Sequence, residues 1–247
     1  MKNRIFCQIL ALGLLCGLRA VCGQESTPAL IAAKKTSPAE FLDALGKTAK
    51  ARWRLYFRPP PPTPPVDRAK AALILGSLVA ESHLIWQATD SQQFRNNNQD
   101  LVTYCRMIGV GDGIMPRLMA QGKMAEMEQW KELRTEISLT QDEMSRLLHE
   151  MQDDDLSHLI DTGLWLRVLE VCNSIAAEAP TEIAPDLRLT TQSATNELRE
   201  HLSAVSANLS DCKYLQQLRN ILDALPKDPK ANESIQTMMQ SLLDKEK

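Results

Sequence analysis

The sequence predicts an all-α protein, a bundle of roughly eight to ten helices built around two central ones, and three observations carry that reading. The stretches 67–90 and 156–179 are apolar on more than one face, which a helix enclosed by other helices requires. Aromatic residues total only 4% of the 247, and no alternating apolar–polar pattern of strand length occurs. Prolines, glycines and capping pairs cut the remainder into pieces of helix length.

The first helix is expected over 37–58. Ser37 caps it, Pro38 suits its first turn and Glu40 completes a capping box. Phe41, Leu42, Leu45, Ala49, Trp53 and Tyr56 recur at helical spacing and predict one continuous apolar stripe. The prolines of 59–66 end it, because proline lacks the amide hydrogen and clashes with the preceding turn; a stiff polyproline connector is expected there. A helical domain should fill 67–247.

Within that domain, Leu73, Ile74, Leu75, Leu78, Val79, Leu84, Ile85 and Trp86 make 67–90 the most apolar helix after the N-terminal region. Ala69, Ala72, Gly76 and Ala80 offer small residues against which a second helix can approach. A helix over 91–108 should stop at the glycines of 109–113, with another over 115–127. A helix from 130 to about 137 should be followed by a new one, for which Thr140 and Glu143 form a second capping-box pattern. Leu159, Ile160, Leu164, Leu166, Val168, Leu169, Val171, Cys172 and Ile175 overfill one stripe of 156–179. Pro180 and Pro185 bracket a loop, and helices over 191–209, 211–225 and 232–244 complete the chain.

Residues 1–23 have the pattern of a removable export signal. Lys2 and Arg4 supply a positive start, 5–18 is an apolar run short for a permanent span, and Val21 and Gly23 precede a plausible cleavage before Gln24. Residues 24–36 read as a disordered lead. The protein is therefore expected to be exported, to the periplasm or the medium. Lipid anchoring at Cys22 is disfavoured, since Arg19-Ala20-Val21 does not supply the aliphatic first and small last residue of a lipobox. Losing Lys2, Arg4 and Arg19 with no acid takes the net charge from −3 to −6. An acidic chain without a basic block argues against nucleic acid, where phosphate neutralisation supplies most of the affinity. No further stable membrane span is expected after signal removal. Outside the signal only Cys105, Cys172 and Cys212 remain, and they leave two readings open: one bridge, with Cys105 and Cys172 as the pair, or three buried thiols acting as small hydrophobes.

Four constellations bear on function. Glu81 and His83 in one central helix, and Arg167 and Glu170 in the other, are charged or titratable groups on apolar faces. They predict a structural ion pair, or side chains that snorkel to an edge, or a buried site for a small anion in which Arg167 meets Glu81 with His83 or Asp90 nearby. Arg52, Trp53, Arg54 and Arg58 interleave cations with aromatics ahead of the prolines and are candidates for docking a partner, although Trp53 also continues the buried stripe. His149, Glu150, Asp153, Asp154, Asp155 and His158 gather metal-capable groups. Helical spacing sets His149 near Asp153 and Asp154 near His158, but neither HExxH nor a Glu-x-x-His pair is present, and a solvated helix start explains them equally; no metal is predicted. The glycines of 109–113 follow a helix, not a strand, and read as a turn instead of a phosphate loop. His201 is expected to be solvated on a polar helix. No cofactor motif is found.

The stretch Arg68-Ala69, Leu75-Gly76-Ser77-Leu78-Val79-Ala80-Glu81, followed by Gly163-Leu164-Trp165-Leu166-Arg167 and Glu170, resembles a group of exported all-helical bacterial proteins without assigned activity. The similarity spans roughly 67–187 and implies an exported bacterial helical protein; it assigns no site residue. The sequence favours a non-catalytic envelope protein that binds or scaffolds another protein. The alternative is a small-molecule or enzymatic domain using the region of Glu81 and Arg167. Oligomeric state is not legible.

Overall fold

The computed structural model describes residues 37–178, 184–206, 209, 212–224 and 231–243. They form nine α-helices and no strand: α1 Pro38–Ala49, α2 Arg68–Ala88, α3 Ser91–Ile108, α4 Gly111–Glu126, α5 Trp130–Glu150, α6 Asp154–Glu178, α7 Ala184–Ala204, α8 Lys213–Ala224 and α9 Ala231–Leu243. The proposed signal lies outside the described residues.

Helices α2 and α6 lie side by side at the centre. The chain then builds outward in two directions. Helices α3, α4 and α5 follow one another on the α2 side; α7, α8 and α9 pack along the α6 side, with α1 spanning α2, α6 and α7. Seventeen of the 21 residues of α2 are buried, including Lys70, Glu81 and His83, as are 16 of the 25 of α6. By length and composition α2 is apolar enough to cross a bilayer, yet 83% of that stretch is buried by the rest of the chain. Its apolar surface is thus already covered by protein.

Two glycines set the separation of the central pair. A Cβ on Gly76 would stand 1.9 Å from the carbonyl oxygen of Ile160, and one on Gly163 would stand 1.9 Å from the carbonyl oxygen of Leu73. Backbone therefore meets backbone at the crossing, and dispersion contact is gained there without any side chain between. Phe41 of α1 closes one end of this interior by packing edge-on against Trp165, with ring centroids 5.5 Å apart.

Several boundaries differ from those expected. Helix α1 ends at Ala49, with Lys50 at φ 49° as its left-handed cap, so the helix does not reach Arg58. Trp53 lies instead on a single 3₁₀ turn, Trp53–Tyr56, that folds back over the helix; a Cβ on Gly46 would meet its ring at 2.8 Å. The stripe is completed by chain reversal, not by more helix. Helix α4 starts at Gly111, four residues before the expected start. Gly109 (φ 96°) caps α3, and Gly111 sits against Arg106, where a Cβ would be 2.5 Å from Cγ. No helix starts at Thr140: α5 runs through it. The Thr140 hydroxyl donates to the carbonyl of Glu136 (2.7 Å) and accepts from Gln121 Nε2 (2.6 Å), so it is satisfied inside the helix instead of capping one. Helix α7 begins at Ala184, placing Pro185 in its first turn, where a missing amide hydrogen costs nothing.

Cys105, Cys172 and Cys212 are all free thiols, so the bridge reading does not hold. Cys105 faces Met144 of α5, with the sulfurs 3.8 Å apart, and burial pushes its pKa up to about 12. Burial likewise raises that of Cys172. Both stay protonated and pack as small hydrophobes.

Candidate functional site

The two central helices carry charge one to two turns beyond their glycine crossing. Gly76 and Glu81 are five residues apart on α2; Gly163, Arg167 and Glu170 follow at spacings of four and three on α6. Because the backbones touch at the glycines, the next side chains along the seam are forced together. Arg167 Nε donates to Glu81 Oε1 at 2.7 Å and its Nη1 donates to Glu170 Oε2 at 2.7 Å. Its Nη2 lies 2.6 Å from Glu81 Oε1 and also donates to the Tyr56 carbonyl. Arg58 then reaches the second oxygen of Glu170, 2.5 Å from its Nη2. Two guanidiniums thus face two carboxylates, and the cluster is electrically neutral.

The electrostatics follow from that stoichiometry. Burial works against the charge on Arg167, but two carboxylates outweigh it and hold its pKa above the ordinary value. Glu81 is 2% exposed, and its desolvation exceeds what Arg167 and the Arg58 amide return, so its pKa is raised. One guanidinium shared by two carboxylates stabilises itself more than either of them. Each nitrogen of Arg167 is already engaged, so an incoming anion would have to displace a carboxylate.

Of the candidate anion-site residues, the structure gathers Glu81, Arg167 and Glu170 and leaves His83 apart. Two residues on from Glu81, His83 is buried within reach of the charge of Arg134 on α5. There Arg134 pairs with Asp43 and stands 5.4 Å from the centre of the Trp86 ring, while Gln87 donates to Asp43 at 2.5 Å. Burial, and then the charge of Arg134, lower the His83 pKa to about 4, so it is neutral at ordinary pH. Asp90 caps α3 and pairs with Arg54 at 3.2 Å, away from Arg167.

The candidate docking residues are turned inward or paired. Trp53 is buried, Arg52 lies 3.5 Å from Glu178, Arg54 pairs with Asp90, and Arg58 pairs with Glu170. Tyr56 donates to Glu178 at 3.1 Å. Segment 52–58 is therefore a strap across α2, α3 and α6. What its sequence did not disclose is the backbone carbonyl of Tyr56, which completes the Arg167 site.

The metal-capable residues disperse. The chain breaks between α5 and α6, so His149 meets Asp154 (2.8 Å) instead of Asp153; Asp153 pairs with Arg68 at 2.9 Å, and Asp155 accepts the Ser206 amide at 2.8 Å. Among the described residues, no group of three or more His, Cys, Asp or Glu side chains is placed to hold a metal ion. His201 is not solvated as expected: it lies 3.4 Å from Asp161, with 15% of its side chain exposed, because α7 packs this face onto α6. No known protein family, no curated protein and no solved structure matches the chain.

Proposed function

We propose that the protein is a non-catalytic helical scaffold of the bacterial envelope that binds another protein. The observation that carries this reading is the contrast between an interior cluster whose Arg167 has no free donor for an anion and an open outer groove. The polar cluster between the central helices is neutral, and its main donor is fully engaged. Between α8 and α9, by contrast, lies a groove of about 480 Å³ lined by residues including Asn220, Ile221, Thr237, Met238 and Ser241. Mixed apolar and hydroxyl linings suit a protein surface. Export is supported by the charge and apolar pattern of residues 1–23.

A photo-crosslinking residue at Asn220 or Thr237, compared with one at the exposed Gln99 of α3, tests the partner. A discrete protein adduct at the groove positions alone is expected, and the purified partner should bind more weakly to Thr237→Arg. Equal labelling at all three positions, or none, defeats the reading. Export is tested separately by joining residues 1–36 to a reporter enzyme that is active only outside the cytoplasm.

A further inference from the structure

The strap fills a site that the central helices leave incomplete. Glu81 and Glu170 bring two buried carboxylates to the single guanidinium of Arg167, and the second cation comes from outside the pair, from Arg58. The two arginines are held very differently. The side chain of Arg167 is 4% exposed and bonded through all three nitrogens; that of Arg58 is 29% exposed, and its Nη1 has no partner. Glu81 Oε2, fully buried, also lacks a side-chain partner. The socket thus holds an acceptor that no side chain uses, and its occupant an unused donor.

The strap is anchored by the buried Trp53 ring and by the Tyr56 carbonyl on Arg167, while its two ends are held more loosely. Its only regular structure is the turn Trp53–Tyr56. The flanking ion pairs of Arg52 and Arg54 involve side chains that are 74% and 68% exposed, and such pairs contribute little. Lifting it would uncover a net negative, preorganised cleft.

We propose that Glu170, with the buried Glu81 behind it, forms a guanidinium-binding socket whose Glu170 side Arg58 plugs in this structure, and that an arginine side chain of a partner protein is the ligand that replaces it. A planar fork reaches two carboxylates with parallel bonds, whereas a lysine ammonium presents only a point charge. The socket stands on geometry alone; the partner clause rests on the protein-binding reading above.

The test is thermal unfolding of Arg58→Ala with ethylguanidinium, a truncated arginine side chain, as probe. The substitution lowers Tm by about 5 °C, since it leaves a buried negative charge whose mouth water reaches. About 10 mM ethylguanidinium restores at least half of that loss, and recovery grows with concentration as binding to the folded state requires. Wild type, with its socket filled, does not shift, nor does Arg58→Ala/Glu170→Gln. No recovery, equal recovery with ethylammonium, or an equal shift in wild type overturns the socket. If Arg58→Ala does not fold, hydrogen exchange on wild type decides: amides of residues 53–57 should exchange about 100-fold faster than those of α2 and α6, and exchange only through global unfolding overturns the plug. Rescue without any captured partner removes the partner clause alone. A captured partner without rescue removes the socket and leaves the protein-binding reading standing.

Discussion

Two stretches of one helix pair, separated by about 7 Å along the axis, are joined in opposite ways. At Gly76 and Gly163 the backbones of α2 and α6 touch with nothing between them; at Glu81 and Arg167 the same helices meet through two charged contacts, with Glu170 pairing to Arg167 within α6. The first contact is purely steric and gains from dispersion and apolar burial. The second sets large Coulomb attraction against a desolvation cost of similar size, so its net contribution is small while the penalty for breaking it is large. Closeness at the glycines is what obliges the charges to be buried, so the two contacts are not independent.

The largest effect is expected where a charge loses its partners. Arg167→Ala strands the buried Glu81, leaves Glu170 with Arg58 alone and releases the Tyr56 carbonyl, and should cost about 4 kcal/mol of unfolding free energy in urea. A loss below 1 kcal/mol would mean that water already reaches the cluster.

Gly163→Ala should cost about 3 kcal/mol or more. The new methyl would overlap the Leu73 carbonyl, and neither partner atom is a flexible side-chain end, so the helices must move apart. The intrinsic helix preference of alanine, worth roughly 1 kcal/mol, opposes this and does not outweigh it. A neutral result would place the steric seam elsewhere. Crystallography of Gly122→Ala is the companion measurement: its Cβ would meet only Asn98 Nδ2, at 3.4 Å, and the structure should be unchanged.

His83 lies on the other side of α2 and tests whether that helix is dry all round. Its folded pKa of about 4 is below the unfolded value of 6.5, so its contribution is fully present above pH 6.5 and is lost as pH falls toward 4. Stability should drop by roughly 2–3 kcal/mol over that interval, at a slope of at most one proton. Arg134 of α5 opposes the incoming charge, and Asp43 of α1 is already paired to Arg134. His83→Gln should flatten the profile; an unchanged slope would assign the acid sensitivity to other groups. Glu81 acts with the opposite sign, because its raised pKa makes the fold bind that proton more readily than the unfolded chain.

The helix pair was legible because enclosed helices cannot hide their composition: apolar residues on every face of α2 and α6 announce burial. The charges inside them were legible as anomalies for the same reason. Less was readable at the corners. Lys50, Thr89, Glu128 and Gln152 all adopt positive φ at helix ends, where glycine is the usual residue and only Gly109 obliges. Stops read from glycine and proline therefore misplace α1 and α4. Trp53 shows a further limit: its phase relative to Phe41 and Leu45 is helical, but a stripe can also be filled by a chain that turns back. Thr140 looked like a cap because periodicity does not reveal whether a hydroxyl points to the Glu136 carbonyl or to a free amide. The role of the Tyr56 carbonyl carried no signal at all, since every residue has one.

The smallest effect on stability is expected from the most drastic substitution, and it separates what the cluster does from what it costs. Replacing Glu81, Arg167 and Glu170 together by Met, Leu and Met removes the attraction and the desolvation penalty at once. Unfolding free energy should then stay within about 1 kcal/mol of wild type, although Arg167→Ala alone is severe. The strap, however, loses both the acceptor for Arg58 and the donor for the Tyr56 carbonyl. Its amides should exchange markedly faster in the triple variant while those of α2 and α6 keep their protection. Slow exchange at 53–57 would mean that the packing of Trp53 on Gly46 holds the strap by itself. In that case the charges would serve neither stability nor placement, and the glycine seam alone would account for the arrangement of both helices.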